Sequence, residues 1–152
     1  MDELERHNCT HTKACARFVT QLSALIDIFA GIIKDENITE LKRIWLLVRG
    51  MLQPETVVEQ CGHYFLYFKD KILSDKTEDH DAMINFDYTT LIVKGCANST
   101  KNLIMALTTA VRSAWRKDDA VVNESIRKNI IVLTKLADIS ARARAMIDAL
   151  VI

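Results

Sequence analysis

The chain has 152 residues, 49% hydrophobic and 26% charged, which fits one soluble domain with a sizeable core. A single proline and four glycines leave too little turn punctuation for an all-β or α/β fold, so an all-α protein is expected. Formal net charge is zero, so no nucleic-acid partner and no pull towards an anionic membrane are expected.

Residues 1–9 are polar and read as a loosely ordered start. From Thr10 the apolar positions Cys15, Phe18, Val19, Leu22, Leu25, Ile26, Phe29, Ile32 and Ile33 recur in steps of three and four, the pattern of an amphipathic helix ending near Asp35. Asn37 followed by Glu40 reads as the cap of a second helix. That helix carries Leu41, Ile44, Trp45, Val48, Met51 and Leu52, and beyond Gln53-Pro54 the same step continues through Val58, Cys61, Phe65, Phe68 and Ile72. The unbroken phase favours one helix over 38–73, kinked or broken near Pro54, with two short helices as the alternative.

Ser74 to Asp79 reads as a polar loop. A third helix is expected from Asp79 or Asp81 to Trp115, with its weak point at the small residues Gly95–Ser99. After the charged turn Arg116-Lys117-Asp118-Asp119, a fourth begins at Asp118 or Asp119. Its stripe is Val122, Ile126, Ile130, Leu133, Leu136, Ala137, Ile139, Ala143, Ile147 and Leu150. Helices of this length would be about 50 Å long, and short connections would set them antiparallel in an up-down-up-down four-helix bundle forming one domain over 1–152.

The run Ser99-Thr100-Lys101-Asn102-Leu103, the run Ala110-Val111-Arg112-Ser113-Ala114-Trp115, and Ala141-Arg142-Ala143-Arg144-Ala145 resemble the helical bundles of the vinculin and α-catenin superfamily. The layout also resembles the focal-adhesion-targeting domain of adhesion kinases. The likeness covers the second half better than the first, which is richer in bulky aromatics. It implies a non-enzymatic adaptor that takes a partner's amphipathic helix into a groove between its own helices.

The acidic opening Met1-Asp2-Glu3-Leu4-Glu5 does not read as a secretory signal, and no run reaches the roughly 18 apolar residues of a membrane span. The scattered Cys9, Cys15, Cys61 and Cys96 then read as reduced thiols of a cytoplasmic protein. His7, Cys9, His11 and Cys15 lie within nine residues and could supply zinc ligands, but their spacing matches no common zinc module. A polar N-terminus with Cys15 as its first core residue is the simpler reading. His63, one turn after Glu59, and His80 have no nucleophile at telling spacing. Without a phosphate loop or a di-iron pair, no enzyme and no cofactor are expected.

Two features point to a protein partner. The run Tyr64-Phe65-Leu66-Tyr67-Phe68 is apolar nearly all round, with Phe65 and Phe68 in the core and Tyr64 and Tyr67 on a flank that could meet a partner or a second copy. From Tyr88 onward ten Lys/Arg face five acids. Lys128, Lys135 and Arg142 share one helical face, and Lys94, Lys101 and Arg112 another, so each could cradle an acidic helix. The expected function is a docking module or self-associating protein, with the interaction surface where the C-terminal half meets Tyr64–Phe68. A zinc- or small-molecule-binding bundle and a pathogen-encoded interaction protein of the same design are the alternatives.

Overall fold

The computed structural model describes residues 2–91, 93–115 and 119–151. The all-α expectation holds: these residues form seven α-helices and one 3-10 turn, with no strand among them. The helices are α1 (Glu3–Ile32), α2 (Glu36–Met51), α3 (Pro54–Tyr67), α4 (Lys69–Ile72), α5 (Thr77–Asn85), α6 (Asn98–Ala114) and α7 (Ala120–Val151), and the 3-10 turn is Tyr88–Thr90.

Helix α1 starts a full two turns earlier than expected. Asp2 accepts a hydrogen bond from the Glu5 amide at 2.8 Å, and Glu3 and Glu5 sit in the positive first turn, so the acidic start is a helix cap and not a loose end. The helix stops at Ile33, whose extended backbone leaves its amide bonded to the Phe29 carbonyl at 2.7 Å. The cap of α2 is Asp35, not Asn37: its carboxylate accepts from the Asn37 amide at 2.9 Å. Glu40 is instead paired with Arg43 at 2.6 Å.

The helix expected over 38–73 is not one kinked rod. Pro54 takes the first position of α3, where its missing amide is harmless and its fixed φ suits the helix. The chain reverses there. Trp45 of α2 donates to Ser23 at 3.0 Å, so α2 returns along α1. In α3, Glu55 shares a cleft with His11 and Phe65 meets Phe18 at 5.7 Å, so α3 runs parallel to α1. Phe68 then separates α3 from α4.

The long third helix is likewise absent. Helix α5 begins at Thr77 and ends at Asn85, and Asp87 accepts from the Thr89 amide to form the 3-10 turn. Gly95 has φ +75°, a conformation open to glycine at little cost, and the helical path resumes only at Asn98. In place of four long helices in up-down-up-down order there are two, α1 and α7, with shorter ones packed around them. The contacts Gln21–Asn129 and Cys15–Ser140 set α1 and α7 antiparallel. The turn Arg116–Asp118 lies outside the described residues, but Asp119 caps α7 as expected, accepting from the Val122 amide at 3.1 Å.

The core is one continuous cluster. Phe18, Leu22, Leu25 and Phe29 of α1 meet Val57, Val58 and Cys61 of α3, Leu103 and Leu107 of α6, and Ile126, Ile130 and Leu133 of α7. Gly62 lets α3 approach α7 closely: a Cβ placed there would lie 3.4 Å from the Ala137 Cβ. Contrary to expectation, α1 is long and apolar enough to cross a membrane, with an 18-residue window of mean hydropathy 1.4. Here its apolar face is buried among the other helices.

Candidate functional site

A half-open apolar cavity of about 70 Å³ lies between the helices. Its walls come from Leu25 of α1, Tyr64 and Phe65 of α3, Met83 and Ile84 of α5, and Leu107 and Val111 of α6. It therefore sits where α6 meets the aromatic run. One wall is the segment 77–91, which crosses from α4 towards α6 as a strap.

Aromatic rings seat that strap. Phe86 lies 4.9 Å from Phe68 and 5.5 Å from Tyr67, and Tyr88 lies 5.7 Å from Phe68 in a tilted contact. The Tyr88 hydroxyl donates to the Met83 carbonyl at 2.8 Å, and burial pushes its pKa up to about 12. Arg112 ties the strap to α6: its Nε donates to the Ile84 carbonyl at 2.8 Å and its Nη2 to the Phe86 carbonyl at 2.6 Å. At the other end Arg127 donates to the Ser74 carbonyl at 3.2 Å. Charge-assisted bonds of this kind contribute about 1.5–3 kcal/mol each. Arg112→Ala should therefore raise amide hydrogen exchange across Thr77–Leu91 while leaving α1 and α7 protected; unchanged exchange in the strap would show that Arg112 does not hold it.

The residues singled out from the sequence fall on different faces. Tyr64 is 6% exposed and lines the cavity, so it is not on an open flank, and burial raises its pKa. Tyr67 is 59% exposed beside Phe68 and Phe86. Arg112 is committed to the strap carbonyls. Lys101 is exposed on α6, but Lys94 lies in the non-helical segment before it, so these two do not form one helical stripe. Lys128, Lys135 and Arg142 do share an exposed face of α7, and none of them lines the cavity. Arg142 pairs with Asp138 at 2.9 Å, which Lys69 also approaches at 3.3 Å.

The chain matches no protein-family model, no curated protein and no solved structure.

The zinc-ligand candidates His7, Cys9, His11 and Cys15 all lie within α1 and are not folded around a common point. His7 is 3.8 Å from Glu3, and the Cys15 sulfur is 3.8 Å from His11 Nε2 and 3.3 Å from Ser140 Oγ. Among the described residues no three His, Cys, Asp or Glu side chains converge as a metal site. His11 instead borders a half-open cleft of about 430 Å³, where Glu55, Glu59, His63, Arg144 and Asp148 stand among apolar side chains. Burial raises the pKa of Cys15 and pushes Cys61 up to about 12, so both thiols are held protonated, the opposite of an activated nucleophile. The strap was not legible as a separate element, because its apolar residues continue the helical step across the break; Asp87, capping the 3-10 turn, was the available signal.

Proposed function

We propose that this chain is a non-enzymatic interaction module, a helical bundle built on α1, α3, α6 and α7 that docks an amphipathic partner helix through the cavity under the strap. It would be an adaptor of the kind that likeness to the vinculin and α-catenin bundles implies, acting in the cytoplasm. The observation that carries this reading is the cavity's size and chemistry. Cofactor and drug-sized sites run to about 300–1,000 Å³. A half-open apolar hole of about 70 Å³ is on the scale of a single anchoring side chain, with the exposed Tyr67 nearby as added contact area.

Self-association is the second form of the same reading. Leu46, Leu47 and Met51 are exposed on α2, and Met105 on α6, against which α2 packs. Sedimentation velocity at rising concentration separates the two forms. A mass that climbs towards a dimer in the wild type and stays monomeric in Leu46→Glu/Met51→Glu identifies the second copy as the occupant. A constant monomer combined with no saturable binding of a leucine-repeat helical peptide would contradict both.

A further inference from the structure

Helix α7 carries two apolar stripes, and only one faces the core. Ile126, Ile130, Leu133, Ala137 and Ile147 are buried. A second set, Val132, Leu136, Ile139, Ala143, Met146 and Leu150, follows strict steps of four and three, the seam of a heptad repeat. Val132, Ile139 and Met146 remain 40%, 43% and 44% exposed, with no described residue covering them. Val132 and Leu136 form one wall of an open groove of about 450 Å³ whose other wall is Ala16, Arg17 and Thr20 of α1. The seam therefore lies along the outer junction of the two long helices. From Val132 to Leu150 it covers 19 residues, a rise of about 27 Å or five turns of a partner helix.

Both banks of this junction are basic. On α1, Arg17 leads by helical spacing to Lys13 and Arg6, all exposed. On the far side of the seam, Lys128, Lys135 and Arg142 follow a seven-residue step, also exposed. Among the described residues Arg6, Lys13, Arg17, Lys128 and Lys135 enter none of the chain's ion pairs, and only Arg142 is paired, with Asp138. In a chain of zero net charge, an apolar seam flanked on both sides by bases, all but Arg142 outside the chain's ion pairs, is a local excess that asks for acids from outside.

We propose that the α1–α7 junction is a second docking surface, which takes an acidic amphipathic helix with apolar residues in heptad register. The proposal rests on the docking reading in supposing a protein partner, but its site is separate from the cavity. The floor decides between a helix and an anionic bilayer. Leu136 is half-buried and Ala143 is buried, so the seam is recessed between its banks, which suits a cylinder and not a plane.

The test is fluorescence anisotropy of the full chain with two labelled synthetic peptides of about 20 residues. Both carry leucine at the heptad core positions; one has glutamate on its flanks and the other lysine. The glutamate peptide should bind at least about tenfold tighter than the lysine peptide and weaken as salt rises. Lys128→Glu/Lys135→Glu should reduce its affinity about tenfold, and Ile139→Asp, at an exposed position, should abolish binding without changing the circular dichroism. Val111→Phe, which fills the cavity, should leave it unchanged. Equal binding of the two peptides overturns the proposal. So does loss of binding in Val111→Phe alone, which would place the peptide in the cavity and leave only the first docking reading standing. Absence of peptide binding also overturns it; a dimer dissolved by Ile139→Asp would then assign the seam to a second copy, and co-sedimentation with phosphatidylserine vesicles would assign it to a membrane.

Discussion

Replacing Phe18 with alanine is expected to destabilise the fold by about 3–5 kcal/mol. Phe18 is fully buried at the middle of α1, where it meets the edge of Phe65 from α3 at 5.7 Å. The two long helices and α3 cannot close over the missing ring without shifting their backbones, so both the transfer term and the cavity term apply. Domains of this size are stable by about 5–15 kcal/mol, so the loss is a large share of the total. Urea unfolding followed by circular dichroism measures it. Val121, 82% exposed at the start of α7, is the control, and its alanine variant should stay within about 0.5 kcal/mol of wild type. A Phe18→Ala variant as stable as that control would show that the α1–α3 contact does not anchor the core.

Alkaline pH should unfold this protein more readily than its neutral net charge suggests. Burial raises the Cys61 thiol from 9.0 to about 12 and the Tyr88 phenol from 10.0 to about 12, and it moves Cys15, Tyr64 and Cys96 in the same direction. In the unfolded chain these groups release their protons near their ordinary values. Between about pH 9 and about pH 12 the folded state therefore binds more protons than the unfolded state, and stability falls as pH rises. The contribution is intact below about pH 9 and is lost on passing the folded-state values. Each unit of separation corresponds to about 1.4 kcal/mol. Urea midpoints should hold steady up to about pH 9 and then drop, with the Cys61→Ala variant showing a shallower early fall. A midpoint that is level across the window would contradict the burial of these groups.

Much of the fold was legible in the sequence, for a physical reason. Long three-four stripes with few glycines and prolines leave no other way to bury Phe18, Leu22, Leu25 and Phe29 together, and all four are in the core. The breaks were less legible. At Pro54 the apolar step keeps its phase through the reversal, because α2 and α3 both present a core face and the connection between them is only Leu52 and Gln53. At Gly95 the sequence marked the weak point, but not that α5 had already ended at Asn85. The α7 pattern misled in another way. By spacing Ile139 and Leu150 belong to the core stripe, yet they are 43% and 42% exposed, since two stripes of nearly equal period overlap on one helix. The basic residues could be counted from the sequence. Which of them lie beside exposed apolar side chains depends on how α1 and α7 are set against each other, and that comes only from packing.

The central claim, docking through the cavity under the strap, is tested most directly by amide chemical-shift mapping of the full chain titrated with a leucine-repeat amphipathic peptide whose flanks are glutamine, without the acidic charge that the α1–α7 seam selects. Docking there predicts saturable shifts centred on Tyr64, Ile84, Thr108 and Val111, abolished by Val111→Phe. Saturation with no shift at those four positions would contradict it.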